Sequence, residues 1–502
     1  MAAPIADLRE YLAETEDYRR IFDHLRYDQQ TVLPDGATAD RARQIGLMER
    51  RMRDRIADPR LDELVAAVER LGPDPEDDFA TWAIARTARR DHEAARQRPV
   101  DVLADFQVVA AEAFPAWRDA RAAGRWADFA PWLRRLLDLN LRMADAVGYA
   151  DHPMDALLST YEPGLSYAAT DRLLAGLREP VLRLNGLRQR RYAGRPRVRF
   201  PDLDRQTAFA FVRDLTERIG YDWNRGGLAV SPHPFTSPSG ANDVRFTLRD
   251  DVPFDEILTS AVHEIGHALY EQGIAPELWG TSAARGVMPW LHESQAKFWE
   301  NIVGRTPQFA RFAHEVLVPY LGDHPDAVTP ESLHEALVAR PTSVVRIATD
   351  ELTFNLHILL RWEIETSLLS GTLAVDDVPE LWNARSAEYF GAAPASDRDG
   401  ALQDPHWCHR WMGLFTSYVI GNLVSAQLAE AMRRDGVDLE AGAAAGDFAP
   451  MLGWLRRHVH APGRTFTLAE LVPRATGAEL GAAAYLSHLD RRYAPDPEGE
   501  TR

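Results

Sequence analysis

The sequence has almost no cysteine and no long apolar run. Its single cysteine, Cys408, cannot form an internal disulfide. No apolar stretch approaches the roughly 18 uninterrupted residues that a membrane-spanning helix requires. The first twenty residues are charged throughout and lack the apolar run of a signal peptide. We therefore expect a soluble, reduced protein with a cytoplasmic location.

The chain lacks a positive balance of charge. The 502 residues include 57 Lys and Arg against 75 Asp and Glu, which gives a net charge of −18 with histidine neutral. A field of that sign argues against a general nucleic-acid surface and against an anionic membrane surface. We expect neither nucleic acid nor a membrane as a partner.

Helical periodicity dominates the chain. Residues 201–221 and 378–391, for example, place apolar side chains at three- and four-residue spacing between acidic starts and glycine ends. The exception is residues 226–250, where two β-prone runs flank a turn region rich in Ser, Pro, Gly and Asn. This pattern predicts a small hairpin or ribbon whose second strand leads into the next helix. The Arg-rich segment Arg183–Arg205 is predicted to be irregular, and the polar C-terminal tail is predicted to be disordered.

A pair of histidines four residues apart stands in the stretch "SAVHEIGHALYEQG". The apolar pattern, with a proline near its start and a glycine at its end, predicts a helix of about five turns over 253–273. His263 and His267 then share one face, with Glu264 about 100° around the axis. This is the His-Glu-x-x-His arrangement of zinc hydrolases, in which two neutral imidazoles bind the ion and the carboxylate accepts a proton from the water that the ion acidifies. The alternative is that both histidines are satisfied core residues.

Two histidines leave such an ion short of a ligand. A second helix-like run, Gly286–Gly304, contains Glu293. A catalytic zinc commonly takes two histidines and one carboxylate and keeps one position open for water. Glu293 is therefore the candidate third ligand, against the alternative that Glu293 and Glu300 are ordinary solvated helix acids. We expect one divalent ion, zinc first, with cobalt or manganese also accepted by this set of donors.

Several short segments together resemble the metallocarboxypeptidases of the carboxypeptidase Taq type, and the resemblance spans most of the chain. The chain carries the family's short elements in order: "YDQQT" at 27–31, His-Pro-Phe at 233–235, Asp-x-Arg-x-Thr at 243–247, His-Glu-x-x-His at 263–267, His-Glu-Ser-Gln at 292–295, an Ile-Arg-x-x-Ala-Asp-like block at 345–350, and Gly-x-x-Gln-Asp-x-His-Trp at 400–407. The resemblance also implies that Glu293 is the third metal ligand.

The resemblance implies a mainly α fold: a large, saddle-shaped helical body with a deep active-site groove and a small β-sheet beside the zinc helix, assembled as a homodimer. We treat 1–502 as one helical domain. Within it, 1–200 would form an N-terminal helical lid or wall, 201–490 the catalytic part and 491–502 a disordered tail.

The resemblance further implies removal of one C-terminal amino acid at a time from a peptide, or from a small amide substrate, with a free carboxylate. Such a reaction needs a base, donors for the oxyanion and a cation for the carboxylate. Glu264 is the expected base. Arg346 is the first candidate cation, or else it pairs with Asp350, four residues on. Arg245 is the second, or else it pairs with Asp243 along its strand.

Three further residues of the matched segments are expected at the substrate. His406 would donate to the oxyanion or the carboxylate, His233 would help to close the end of the groove, and Gln403 would contact the substrate. Histidines beside proline or tryptophan are often only packed.

The chain departs from the family pattern at two positions where tyrosine is usual, which are here Phe354 and Leu414. Hydroxyls near a zinc are natural oxyanion donors, so their loss favours an alternative: a metal-dependent amidohydrolase of the same fold with a specialised small-molecule substrate. A third hypothesis is a non-catalytic protein with a structural metal. It is less favoured, because Glu264 is present and a structural site usually closes its fourth position with protein.

Overall fold

The computed structural model describes residues 3–192, 198, 200–201, 203–286, 289–323, 325–339, 342–408 and 411–494. These residues form a mainly α structure with one small sheet, which confirms the predicted fold class. The helices are α1 (Ala3–Thr31), α2 (Thr38–Ala57), α3 (Pro59–Glu69), α4 (Phe79–Gln97), α5 (Val100–Ala123), α6 (Trp126–Val147), α7 (Pro153–Tyr161), α8 (Tyr167–Tyr192), α9 (Arg205–Ile219), α10 (Phe254–Gln272), α11 (Trp290–Lys297), α12 (Pro307–Leu317), α13 (Pro330–Val338), α14 (Glu351–Leu369), α15 (Val378–Phe390), α16 (Thr416–Arg434), α17 (Leu439–Ala445), α18 (Ala449–Leu455), α19 (Leu468–Thr476) and α20 (Ala483–Tyr493).

The sheet has three strands, β1 (Gly226–Val230), β2 (Thr236–Pro238) and β3 (Val244–Leu248), in the order β1-β3-β2. β1 pairs with β3 in parallel, and β2 pairs with β3 antiparallel. The prediction of a hairpin between the two β-prone runs is therefore wrong, because the turn region between them contributes a strand of its own. β2 ends in a proline, which suits an edge strand. As predicted, the last strand leads directly into the next helix, α10.

The helices differ from the sequence-based expectation at two places. The segment predicted to be irregular is helical as far as Tyr192, since arginine is a good helix former. Arg183, Arg190 and Arg191 are exposed on this helix, whereas Arg188 is buried and donates to the side chain of Asn185 at 2.9 Å. Residues 193–197, 199 and 202 of the segment lie outside the described residues. At the C-terminal end, α20 extends to Tyr493, and residues 495–502, where disorder is predicted, lie outside the described residues.

No helix in the described ranges is long and apolar enough to cross a membrane.

The chain divides into two compact units. The first comprises Met1–Arg96, Val198–Leu337 and Gln427–Glu479, and the second comprises Gln97–Arg197, Val338–Ala426 and Leu480–Arg502. The sheet, α10 and α11 all belong to the first unit. The single domain expected from the sequence stays a prediction.

Helix α10 is bounded by Pro253 and Gly273, as predicted, and most of its residues are buried. It packs against α11 at Gly266, where a Cβ atom would lie 2.6 Å from the Cα atom of Ala296 and 2.6 Å from the carbonyl oxygen of Gln295. Real Cβ atoms do not approach backbone that closely, so only glycine permits this crossing. The crossing sets the distance between the side chains of the two helices.

We predict that Gly266→Ala lowers the free energy of unfolding by about 1–3 kcal/mol, because a methyl group must be inserted into closely packed backbone. The matched control is Gly176→Ala in α8, where nothing lies within 4 Å of the added Cβ atom. There the better helix propensity of alanine should stabilise the protein, by up to about 1 kcal/mol. Denaturant unfolding of both variants tests this, and equal effects would show that the crossing is not tight.

Candidate metal centre

Three predicted ligands meet where α10 crosses α11. One ligand atom from each of His263, His267 and Glu293 lies within 4.8 Å of the other two. The Nε2 atoms of His263 and His267 are 3.9 and 3.7 Å from the two Glu293 carboxylate oxygens. Metal–ligand bonds of about 2.0–2.2 Å place the donors of a tetrahedral ion about 3.3–3.6 Å apart, so small movements would fit these three around one ion.

The carboxylate of Glu293 supports the same fit. Glu293 is 7% exposed, and its Oε1 atom is buried without a hydrogen-bond donor among the described residues. The Lys297 ammonium lies 3.7 Å from this oxygen, beyond hydrogen-bonding distance. A buried carboxylate oxygen without a donor is costly unless a cation binds it. The alternative that Glu293 is a solvated helix acid is therefore wrong.

Each histidine is oriented through its Nδ1 atom. The Nδ1–H of His263 donates to the carboxylate of Glu300 at 2.9 Å, and the Nδ1–H of His267 donates to the backbone carbonyl of His292 at 3.0 Å. Such bonds fix the tautomer and the ring orientation of metal-binding histidines and leave Nε2 as the donor to the ion. Two oriented imidazoles and one carboxylate thus face a common point.

Glu300 lies on the continuation of α11. α11 ends at Lys297, and Phe298–Val303 continues as a π-helical segment. Lys297 Nζ and Arg305 Nη2 donate to the two oxygens of Glu300 at 2.8 and 2.9 Å. Burial alone would raise the pKa of Glu300, but Lys297, His263 and Arg305 hold it well below its usual value. Glu300 is therefore an ionised acceptor rather than a solvated helix acid, and its same-face spacing from Glu293 is the signal that could have identified it.

Glu264 stands beside these ligands in a different environment. It is 5% exposed, and its Oε2 atom accepts a hydrogen bond of 2.7 Å from Thr236 of β2. Burial raises the pKa of Glu264, and His263 and Thr236 counter that rise only in part. A raised pKa makes a carboxylate a stronger proton acceptor, which suits a general base. The role of Thr236 could not be predicted from the sequence, because nothing there marks its short strand.

The two histidines differ in how readily they hold a proton. Burial, followed by the neighbouring His292 and His263, keeps the pKa of His267 well below its usual value, so His267 is neutral. Burial also lowers the pKa of His263, but Glu293 and Glu300 outweigh it and the net shift is upward. A proton therefore competes with a cation at His263 more than at His267.

The other two predicted residues of the first unit lie near the sheet. Arg245 of β3 pairs with Asp243 through contacts of 2.6 and 2.8 Å, the strand pair considered as the alternative to substrate binding, and its guanidinium stands over the ring of Tyr27. His233 is exposed, and its carbonyl accepts a hydrogen bond of 2.6 Å from Ser231.

Arg346 and Gln403 belong to the second unit. The Arg346 guanidinium makes two contacts with Asp404, at 3.1 and 2.9 Å, and the Arg346 backbone N–H donates to the Gln403 side chain at 2.8 Å. The pair with Asp350, considered as the alternative to substrate binding, is not the pairing that these contacts give Arg346. Spacing by four residues brings side chains together only within a helix, whereas α14 begins at Glu351 and Asp350 caps its N-terminus.

His406 belongs to the second unit, and its side chain is 10% exposed. Its Nε2 atom lies 3.4 Å from a Glu365 oxygen, its ring packs edge-on against Phe415, and burial lowers its pKa. Phe354, at one of the two positions where tyrosine is usual, packs edge-on against Tyr418. A hydroxyl-bearing ring is therefore present beside the position that lacks one.

Comparison with known proteins decides the family. The profile described as "Carboxypeptidase Taq (M32) metallopeptidase" matches residues 7–493. The chain belongs to this family. It is 36% identical to Thermostable carboxypeptidase 1 of Thermus thermophilus over 98% of both chains, and 30% identical to Carboxypeptidase 1 of Bacillus subtilis over 94% of both. The crystal structure of an M32 carboxypeptidase from Deinococcus radiodurans matches with a TM-score of 0.92 and 34% identity over 98% of both chains. The chain is thus a metallocarboxypeptidase, and its family implies a divalent metal ion.

We predict that Arg346→Ala lowers the free energy of unfolding by about 1–3 kcal/mol, because the nearly buried Asp404 loses a two-point partner and keeps Arg361 as its one ion-pair partner among the described residues. The matched control is Arg134→Ala, which removes the exposed pair with Asp376 and should cost about 0–1 kcal/mol. Thermal and denaturant unfolding measure both. If Arg346→Ala lowers the free energy of unfolding no more than the control does, this arginine has no structural role.

Proposed function

We propose that this M32 enzyme removes C-terminal residues from peptides at the centre formed by His263, His267 and Glu293. These residues would hold one divalent ion, and Glu264 would act as the general base. The observation that carries the assignment is the buried Oε1 atom of Glu293, which has no hydrogen-bond donor among the described residues and faces two oriented imidazoles. A satisfied core cluster would leave no such oxygen.

A divalent ion bound there would supply Lewis-acid polarisation of the scissile carbonyl and lower the pKa of a water molecule. Glu264 would take the proton of the attacking water on its carboxylate and give it to the leaving amine nitrogen. Its raised pKa suits both transfers, and the hydrogen bond from Thr236 to Oε2 fixes the plane of the carboxylate. Burial of Glu264 also limits the competing water around the reaction.

The free carboxylate of the substrate requires a cation. Arg245 and Arg346 are the proposed residues, with His233, Gln403 and His406 as the proposed further contacts. Each guanidinium already has an aspartate partner, so a bound carboxylate must share the arginine with that partner or replace it. A residue that binds this carboxylate in both the ground state and the transition state should affect KM more than kcat.

Zinc as the native ion, a homodimer and a cytoplasmic location are further proposals. Two nitrogen donors and one oxygen donor are a common set for catalytic zinc, although cobalt and manganese also accept it.

The dimer rests on the family resemblance. Light scattering of the purified chain gives its mass in solution, and a monomer would contradict the dimer.

We expect the metal-loaded enzyme to shorten a free-acid peptide from its C-terminus and to leave the amidated copy of the same peptide intact. Mass spectrometry of time points should show a ladder of products that differ by one residue. The specialised amidohydrolase alternative predicts no ladder from either peptide. Equal cleavage of both peptides would contradict recognition of the terminal carboxylate.

We predict that Glu264→Gln keeps its bound metal and lowers kcat by at least about 10²-fold, because the amide is nearly isosteric, still accepts the Thr236 hydrogen bond and cannot take up a proton. Metal content and kcat are measured on the same preparation. The matched control, Glu256→Gln in the first turn of the same helix, should keep the wild-type rate. Residual activity above about a tenth of wild type would rule out Glu264 as the base.

A further inference from the structure

His292 lies beside the proposed metal ligands without being one of them. It is 6% exposed, and both of its ring nitrogens face hydrogen-bonding groups. Its Nδ1 atom is 2.6 Å from the Nδ1 atom of His267, and its Nε2 atom is 2.9 Å from Oε1 of Glu271, which is 3% exposed. A continuous chain of contacts therefore leads from a buried carboxylate through His292 to His267.

The short distance between the two Nδ1 atoms limits where the protons can be. If His267 binds an ion through Nε2 as a neutral imidazole, its own proton is on Nδ1. A second proton on the Nδ1 atom of His292 would place two N–H groups against each other across 2.6 Å. His292 must then carry its proton on Nε2, where Glu271 accepts it.

The position of the Glu271 carboxylate is fixed by backbone. The same Oε1 atom accepts the backbone N–H of Gly286 at 3.0 Å. A Cβ atom at position 286 would lie 2.6 Å from Cδ2 of His292 and 3.0 Å from Oε1 of Glu271. The missing side chain of Gly286 thus lets the backbone close onto both groups and hold the acceptor opposite the Nε2 atom of His292.

We propose that Glu271 is a positioning residue for the metal centre: it accepts the Nε2 proton of His292 and so keeps the Nδ1 atom of His292 as an acceptor for the Nδ1 proton of His267. This inference rests on the proposed assignment of His267 as a metal ligand. The ring of His267 is then held by two acceptors, the Nδ1 atom and the carbonyl of His292. Acceptors at Nδ1 fix the ring and increase its basicity toward an ion.

The competing account is that Glu271 and His292 only tie α10 to α11. Loss of such a tie would lower stability and leave metal affinity unchanged in the protein that remains folded. A positioning role instead predicts that metal affinity falls while the protein stays folded. Without Glu271, His292 can carry its proton on Nδ1, where that proton would face the Nδ1 proton of His267. Metal affinity and the tautomer itself are therefore the measurements that separate the two accounts.

The first test is zinc affinity of the full chain, measured by competition with a chelator. Glu271→Leu removes the acceptor and should weaken zinc binding by about 10- to 100-fold, the loss typical for a partner of a metal-binding histidine. The zinc affinity of Glu271→Gln should remain within about fivefold of the wild-type affinity, which is a smaller loss than the one expected when the partner is missing. Its carbonyl oxygen is oriented by the same two donors, the Gly286 N–H and the His292 Nε2–H.

The matched control is Glu351→Gln in the second unit. Glu351 is also buried and also accepts from a histidine, with its Oε1 atom 2.8 Å from the Nε2 atom of His488. This variant should lower the melting temperature without changing zinc affinity. Wild-type affinity in a folded Glu271→Leu variant would overturn the proposal, and so would equal losses for the Leu and Gln variants.

The second test needs no variant at Glu271 and remains decisive if Glu271→Leu does not fold. Long-range ¹H–¹⁵N correlation spectra of histidine-labelled, zinc-loaded wild-type protein, assigned with a His292→Gln variant, report the tautomer of His292. We expect a protonated Nε2 atom and an unprotonated Nδ1 atom, and the opposite tautomer would overturn the proposal. His267→Ala separates this result from the proposed function: zinc binding that survives in that variant contradicts the ligand assignment itself, whereas its loss leaves only the role of Glu271 in question.

Discussion

The close crossing of α10 and α11 at Gly266 is the constraint on which the candidate centre depends. One helix supplies both histidines, and the other supplies Glu293 together with the carbonyl that orients His267. These side chains are short, so their donor atoms can meet only where the two backbones nearly touch. A Cβ atom at Gly266 would separate the helices and would pull the carboxylate away from the imidazoles.

Three acids lie close together in this crossing and take different roles because their neighbours differ. Glu300 faces Lys297 and Arg305, which keep it ionised as an acceptor for His263. Glu264 accepts from the Thr236 hydroxyl, and burial raises its pKa, which makes it a stronger proton acceptor. Glu293 keeps one oxygen without any donor in the described part of the chain. The same side-chain chemistry thus serves orientation, proton transfer and ion binding according to its environment.

Local features were predictable from the sequence. Periodicity, a proline start and a glycine end predicted α10 correctly, and the spacing of its histidines, with Glu293 in the next helix, predicted the cluster that the structure brings together. The interactions that could not be predicted are set by tertiary packing. No local pattern indicates that Phe298–Val303 is π-helical, that β1 pairs with β3 in parallel, or that Arg346 pairs with Asp404, 58 residues further along the chain.

X-ray absorption at the zinc edge of the full chain, loaded with one zinc per molecule, tests the central claim most directly. An ion between α10 and α11 should show only nitrogen and oxygen donors at about 2.0–2.2 Å, with the outer-shell scattering of two imidazoles. His267→Ala should reduce that scattering to at most one imidazole in whatever zinc remains bound. A spectrum without imidazole scattering, or one that the substitution leaves unchanged, would contradict the account.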